Sequence, residues 1–333
     1  MSNDYGSLSQ RTAQYAAAVA LQHAKYQTCI GMFATNKPLP RNKADTIAFR
    51  RSDMWPTVEG APLTEGVTPN SRAHTYTDAV VQIQQYGDVG EITDHVEDLA
   101  EDPVLNDIVM MQADQAGGTT DRVVFNVAKA STNVFYPGGQ VARNAIVDPV
   151  DGNVLEAVYR ALRRNYGLFM RSRLSASPNI ATFGIRASYL AFGHTDLQYD
   201  LEQISGYHPV SEYGTEKVVH ELEVGSYKNM RICLSPDYEP YADAGGLAAT
   251  NGLVSTTGTN ADVYPLVVLA KDGLGSVPLG GPNSMKVSII NANVVSKSDI
   301  LGQRGQAGWK CYFAALRLNE AWCAVAEVGA TAL

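Results

Sequence analysis

Three histidines lie beside carboxylates, and each pairing could do chemistry. His194 stands two residues before Asp196, His220 directly precedes Glu221, and His95 sits among Asp94, Glu97 and Asp98. An imidazole oriented by a carboxylate can act as a general base, and the same pair can ligate a metal. None of the three has the i, i+4 double-histidine spacing that puts two zinc ligands on one helix face. His95 reads most simply as an exposed helix residue among acids. The glycine-rich run Gly273-Leu-Gly-Ser-Val-Pro-Leu-Gly-Gly281 lacks both the P-loop lysine and the dinucleotide-binding spacing, and neither a GxSxG elbow nor an SxxK motif occurs. Cys29, Cys233, Cys311 and Cys323 form no CxxC pair and no metal-ligand spacing, so they read as buried thiols of a reducing compartment. The expectation is therefore no catalytic residue, no cofactor, no metal and no enzyme. A chain this long without an organised reactive set is architectural. The competing reading, a cytoplasmic hydrolase, would have to use His194, Asp196 or His220.

Composition agrees with a folded, non-catalytic body. Of the 333 residues, 45% are hydrophobic and 18% charged, which is ordinary globular usage and enough chain for one elaborate domain or two modest ones. The net charge of -8 argues against a dedicated nucleic-acid binder, which needs a basic face to displace counterions from phosphates. It leaves open a container that surrounds nucleic acid without gripping it. No apolar run approaches the ~20 residues of a membrane span. Ala16–Leu21 is too short for a signal peptide core and lacks a basic flank, which predicts a cytoplasmic site of synthesis.

The elements that must position any function begin with a helix over Leu8–Tyr26. Its thin, partly polar stripe (Leu8, Thr12, Tyr15, Val19, Gln22, Tyr26) suits a docking arm. After the linker Asn36–Pro40, two strand-like runs, Asp45–Arg51 and Ala73–Tyr86, read as a two-stranded arm. Ile47, Phe49 and Arg51 alternate with Thr46, Ala48 and Arg50 in the first run. In the second, Val81 and Ile83 oppose His74, Tyr76 and Asp78. Trp55, Pro56, Gly60, Pro62, Gly66 and Pro69 punctuate the excursion between them and forbid a regular ladder there. Trp55, Val58, Leu63 and Val67 make its tip apolar, and Arg50, Arg51, Glu59 and Glu65 are candidates for charge pairing with a partner. An isolated two-stranded hairpin is marginal in water, and the sequence offers little sign of a surface for it on its own body. The expected surface belongs to a neighbouring copy.

An acidic helix is expected over Asp94–Glu101. A rod then starts with Asp102 as N-cap and Pro103 at the first helical position. Val104, Ile108 and Met111 form its stripe, with Leu105 and Val109 beside them, Val123, Val127 and Ala130 resume it, and Gly117-Gly118 is its expected bend. Asp151 opens a second helix, with Leu155, Val158, Tyr159, Leu162, Tyr166 and Phe169 on the apolar face. Arg160, Arg163, Arg164, Arg171 and Arg173 make the rest basic. A DNA-contacting helix is one reading of that basic face. A solvated or intersubunit face is favoured, because no aromatic groups for base stacking interleave with the arginines. From Thr182 the chain turns β-rich, with strands expected over Arg186–Phe192, Arg231–Leu234, Leu266–Ala270, Lys286–Val295, Lys310–Leu318 and Ala321–Val328. A short helix is expected over Asp200–Ile204 and a loose loop over Ala242–Asn260. The class is α+β.

Several strings, in order, resemble the major capsid proteins of tailed bacteriophages, and more narrowly the coat-protein family of phages similar to the N-four coliphage. They are Asp45-Thr-Ile-x-Phe-Arg-Arg51, Pro62-Leu-x-Glu-Gly-Val-Thr-Pro69, and Gln85-Tyr-Gly87 with Ile92-Thr-Asp94. His220–Ser226 with Asn229-Met-Arg231, Tyr264–Lys271, and Asp299–Gly305 with Gly308-Trp-Lys310 follow, so the similarity spans Lys37 to Leu318. No single motif is diagnostic; their order and spacing carry the likeness. No lysine–asparagine cross-link and no cleaved leader can be assigned.

The resemblance implies the Hong Kong-phage type of capsid fold. Mapped on this chain it gives an N-terminal arm (1–43), an extended loop (44–92) and a peripheral domain with a spine helix (93–180). A mainly axial domain (181–295) and strands returning to the peripheral sheet (296–333) complete the map. It implies self-assembly into hexamers and pentamers of an icosahedral shell around double-stranded DNA held without sequence specificity. Portal, scaffold and decoration proteins are further implied partners, with no membrane, and the virion is the destination. A cellular nanocompartment shell of the same fold is the alternative.

Overall fold

The helix-forming run after Pro103 becomes a 26-residue helix, Val104–Lys129, whose two halves pack on two different sheets. At 1.5 Å per residue it is ~39 Å long. The computed structural model describes residues 29–58, 62–94, 104–170, 186–214, 217–248, 252–280, 285–292, 294–295 and 300–333. The expected helix over Leu8–Tyr26, the expected helix Asp94–Glu101 beyond Asp94, the Asp102 cap, and the arginines at 171 and 173 fall outside those residues, as do Glu59 and His95.

In chain order the chain first forms α1 (Ile30–Phe33), β1 (Thr35–Asn36), β2 (Thr46–Ser52), β3 (Tyr76–Gln82) and β4 (Gln84–Thr93). Then come α2 (Val104–Lys129), β5 (Val134–Phe135), α3 (Gly152–Arg164), β6 (Tyr189–Gly193), α4 (Gln198–Glu202) and β7 (Tyr207–Pro209). The last strands are β8 (Glu223–Tyr227), β9 (Met230–Leu234), β10 (Tyr264–Leu269), β11 (Leu274–Pro278), β12 (Met285–Ile290), β13 (Arg304–Arg317) and β14 (Cys323–Val328). One sheet of seven strands has the order β5-β14-β10-β6-β9-β8-β7. A second joins β1, β11, β13 and β12, with β4 along the other edge of β13. The hairpin β2–β3 stands apart as a two-stranded ribbon.

The seven-stranded sheet is closed on both faces. On one side α3 presents Val154, Leu155, Val158 and Leu162 to Tyr189, Ala191, Leu266, Val268, Ala324 and Ala326. Asp151 caps α3 by accepting from the Val154 amide at 2.9 Å, a contact of about 1 kcal/mol. The helix ends before the expected apolar residue Tyr166, which adopts a positive φ of 56° and faces solvent. Tyr166 N–H donates to Arg163 and Gly167 N–H to Leu162, satisfying the last carbonyls. On the other side Val124, Phe125 and Ala128 of α2, with Ile30 of α1, cover Leu190, Phe192, Val267, Leu269 and Val325. Apolar side chains on both faces of β10 and β14 explain why these strands read as continuous hydrophobic runs.

The other half of α2 lies on the five-stranded sheet, and three of its contacts there are polar. Gln112 donates to the Ala307 carbonyl (2.5 Å), Gln115 donates to Asp88 (2.6 Å), and Trp309 Nε1–H donates to Gln115 (3.1 Å). Ala116 meets Trp309 and Cys311 between them. The approach is close: a Cβ at Gly90 would stand 3.0 Å from Ile108. Small and amide-bearing residues therefore carry this interface. The stripe expected from Val104, Ile108 and Met111 is corrected accordingly, since Met111 is 66% exposed while the flanking Val109 is buried together with Gln112, Ala113 and Ala116. Helix also runs unbroken through Gly117-Gly118. Gly117 is buried, so the pair permits close packing where a bend was expected.

Three further expectations are revised. The run Ala73–Tyr86 is two strands, because the chain leaves the hairpin at Ile83 and β4 pairs with β13 from Gln84 to Thr93. The returning strands part company: β13 stays in the five-stranded sheet, whereas β14 pairs with β10 in the seven-stranded one. The described part of the expected loop Ala242–Asn260 (242–248 and 252–260) is tied down. Asp243 accepts from Thr257 and Ser255, and Asp262 accepts from the Asp243 amide and Thr256.

Candidate assembly surfaces

The hairpin has a supported root and an unsupported tip. Ile47 and Phe49 on β2 and Ala79 and Val81 on β3 fall on one face by strand alternation, and Ile83 follows them. That face packs on Leu39, Val277, Ala314 and Leu316, so the root lies on the chain's own five-stranded sheet. The expectation that the arm finds no surface on its own body is thus corrected for its root. The described residues of 53–58 and 62–75 carry no ladder, and their large apolar side chains are exposed. Leu63 is 76%, Val67 and Val58 63%, and Trp55 52% exposed. At the far end a turn closes through Val67 N–H donating to the Thr64 carbonyl (3.1 Å). Gly66 supplies the positive φ of 79° that this turn needs, and Glu65 stands beside it.

The candidate charges divide. Arg50 is taken up inside the hairpin: its Nε and Nη2 donate to the two Asp78 oxygens at 2.8 and 2.9 Å, and its guanidinium lies 5.2 Å from the Tyr76 ring centroid. The hydrogen bond and charge of Arg50 hold the Asp78 carboxyl below the usual carboxylate range. Arg50 is corrected from a partner-seeking charge to a cross-strand one. Arg51 is half-buried beside the root, Glu65 is exposed, and Glu59 lies outside the described residues.

The outer face of the five-stranded sheet is the second surface, and sequence reasoning did not find it. Alternation along β13 sends Trp309, Cys311 and Phe313 to the helix side, and Gln306, Lys310, Tyr312, Ala314 and Leu316 to the other. The hairpin root covers the Ala314–Leu316 end of that outer face. The remaining half is bare: Val89 of β4, Gln306, Gly308 and Lys310 of β13, and Lys286, Ser288 and Ile290 of β12 line a shallow depression of about 480 Å³. The missing signal is tertiary, because Lys286 and Lys310 are 24 positions apart and become neighbours only through strand register.

Of the histidine pairings, His194 and Asp196 do meet, with Nδ1 3.2 Å from the carboxylate. His194 Nδ1 accepts from the Asp196 amide (3.1 Å), and the Asp196 carboxylate accepts from the Tyr264 hydroxyl (2.7 Å). His220 Nδ1 accepts from the Leu222 amide (3.1 Å), and the neighbouring Cys29, with a smaller contribution from Glu221, raises the histidine pKa. Cys233 and His220 beside it lower the Cys29 thiol to about 6 against the opposing effect of burial. All four cysteines are buried and unbridged. Beside them Asp121 anchors the start of the described chain. Its carboxylate accepts from the Cys29 amide (3.1 Å), the Gly31 amide (3.0 Å) and the Tyr238 hydroxyl (2.8 Å). Burial pushes the Asp121 carboxyl above its ordinary pKa despite those donors. Among the described residues no group of three potential metal ligands occurs, and no helix is long and apolar enough to cross a membrane.

No sequence-family profile matches the chain, and no curated protein matches it by sequence. Solved structures do match in fold. The capsid of Ralstonia phage GP4 superposes with a TM-score of 0.64 at 10% identity, covering 90% of this chain and 87% of that one. The capsid of cyanophage P-SCSP1u gives 0.58 at 13% identity over 91% and 88%. The encapsulin SrpI of Synechococcus elongatus PCC 7942 gives 0.52 at 8% identity over 90% and 87%. At these identities the likeness establishes architecture: the chain has the α+β, Hong Kong-phage type capsid fold. The narrower likeness to the N-four coliphage coat family finds no support among these matches.

Proposed function

We propose that the chain is the major capsid protein of a tailed phage, a non-enzymatic subunit that assembles with copies of itself into the closed head around double-stranded DNA. The observation that carries this reading is the loop tip. The body buries its core, while Trp55, Val58, Leu63 and Val67 stay in water on a segment that its own chain does not support. Side chains so exposed gain burial only against another molecule. In a closed lattice every copy both offers such a tip and receives one, so modest contacts multiply into collective stability. In this reading residues 44–83 form the extended loop, and α2 is the spine. The five-stranded sheet is peripheral, the seven-stranded sheet is mainly axial, and small hinge changes let one sequence serve hexamers and pentamers. The net charge of -8 suits a wall that encloses DNA without gripping it. Portal, scaffold and decoration proteins are the further partners this role calls for, and the virion is its location.

Electron microscopy of the purified full chain, with nuclease digestion of particles from infected cells, tests the reading. Closed shells that protect DNA support it; a chain that forms no particles contradicts it. The likeness to an encapsulin favours one second reading, a protein-filled nanocompartment shell. Shells that hold a protein cargo and no nuclease-resistant DNA would establish that reading instead.

A further inference from the structure

The four buried cysteines keep different company. Cys311 lies against Ala116 and Trp309, Cys323 donates to the Ala128 carbonyl (3.5 Å), and burial pushes their thiols up to about 11 and about 12. Cys29 and Cys233 instead pack side by side in one cluster, with His220 next to Cys29. Both backbones are held in place. The Cys29 amide donates to Asp121 (3.1 Å), its carbonyl accepts from the Met32 amide (3.2 Å), and the Ile30 amide donates to the Tyr238 hydroxyl (3.2 Å). Cys233 sits in register between Phe192 of β6 and Glu223 of β8. His220 Nδ1 is occupied by the Leu222 amide, so Nε2 is the nitrogen that can take the thiol proton. The two thiols are unequal. Cys233 and His220 favour the Cys29 thiolate more than burial and the Asp121 carboxylate oppose it. Cys29, burial and Glu223 raise the Cys233 thiol, against a smaller opposing effect of Arg231. Glu221 and Asp121 are the carboxylates that also act on His220. A thiolate beside a protonated thiol is the arrangement that oxidative coupling uses.

We infer that Cys29 and Cys233 are an oxidation site that closes to an intramolecular disulfide when a peroxide reaches it, with His220 as the base. The Cys29 proton passes to His220. The thiolate attacks one peroxide oxygen, the O–O bond breaks, and the departing hydroxide takes the His220 proton and leaves as water. The Cys233 sulfur then attacks the sulfenic acid sulfur of Cys29. The S–S bond forms, the S–O bond breaks, and the hydroxyl leaves with the Cys233 proton as a second water. The two thiols lose two electrons and the peroxide gains them. Access runs through α1. That helix has four residues, and Met32, one turn from Cys29, is 42% exposed, so a local displacement uncovers the pair. The bridge fastens the chain ahead of α1 to β9 and restricts the unfolded chain between residues 29 and 233. The site does not depend on the shell reading. In that reading it is oxidised once particles leave the reducing cytoplasm.

Peptide mapping of the purified full chain tests it. The folded chain is exposed to a small excess of hydrogen peroxide at pH 7, then unfolded, alkylated and digested. The peptide holding Cys29 should be joined to the one holding Cys233, with Cys311 and Cys323 alkylated. The oxidised chain should melt about 3–6 °C higher, and dithiothreitol should reverse both changes. The coupling rate should rise less than about twofold from pH 7 to pH 8, because the Cys29 thiol at about 6 is already ionised. A thiol near its ordinary pKa would gain about eightfold over that range. His220→Gln should slow coupling at pH 7 by about tenfold or more and restore the steep pH dependence. Cys29→Ser should abolish the linked peptide and the peroxide-dependent rise in melting temperature. No linked peptide, Cys29 recovered as sulfinic acid, or Cys311 and Cys323 oxidised as fast as Cys29 would overturn the site. An unchanged rate in His220→Gln would overturn the role of the base. The linked peptide in a chain that forms no shells would leave this inference standing and remove only the shell reading.

Discussion

β10 and β14 bury every residue along their length, whereas β13 alternates buried and exposed from Arg304 to Tyr312. The two sheets differ in who covers them. The seven-stranded sheet has α3 on one face and the C-terminal half of α2 on the other, and its charged groups find partners inside the chain. Arg231 and Glu223 pair at 3.0 Å with almost no exposure, and Arg143 grips the fully buried Glu327 while lying 3.7 Å from the Tyr241 ring centroid. The five-stranded sheet has α2 on one face and only the hairpin root on half of the other. The first region completes its burial within one molecule. The second keeps an apolar loop tip and a bare lysine patch facing solvent, and in the proposed shell the tip is covered by another copy.

That contrast can be broken or sharpened by substitution. Phe192→Ala, in the closed sheet, should destabilise the subunit most, by about 3–5 kcal/mol, because a fully buried aromatic leaves a cavity between helix and sheet. Chemical denaturation of the unassembled subunit measures it; a loss under ~1 kcal/mol would show that this sheet is less complete than described. Phe49→Ala, at the half-buried root, should cost about 1–3 kcal/mol, since part of its burial is already forgone. Its signature is faster amide exchange in β2 and β3 with the seven-stranded sheet unaffected.

Asp121→Asn should act through pH. The folded-state pKa of Asp121 is raised, so its protonated form favours folding, and the contribution present below the unfolded carboxyl pKa is lost as pH rises through the folded value. The wild-type chain should therefore lose melting temperature relative to the asparagine variant as pH is raised from the carboxylate range toward neutrality. A difference that does not change with pH would mean that burial does not govern this group. The smallest effect on the subunit belongs to the tip: Leu63→Ala with Val67→Ala should change its stability by no more than about 0.5 kcal/mol, since both are exposed, while still reducing particle yield.

Much of this was legible because local rules agreed with the fold. The helix that follows Asp151, with Leu155, Val158 and Leu162 inward, the alternating face of β2 and the apolar tip all follow from residue type and period. The length of α2 was legible too, but its buried face was not. Hydrophobicity points to Met111, whereas the contact is made by Ala113, Ala116 and the amides of Gln112 and Gln115, which hydropathy undervalues. The break at Ile83 carries no glycine or proline, because the chain passes from ribbon to sheet without turning. Arg50 was assigned outward because Asp78, its partner, is adjacent only through hairpin register. Lys286 and Lys310 were invisible for the same reason.

The most direct measurement is sedimentation of the purified full chain beside a variant lacking residues 55–70, with melting temperatures and negative-stain images of both. The full chain should sediment as closed shells, and the deletion variant as small soluble species with an undiminished melting temperature. A full chain that remains monomeric, with amide protection across 55–70 showing the tip folded onto its own flank, would contradict the claim that this surface is completed by another copy.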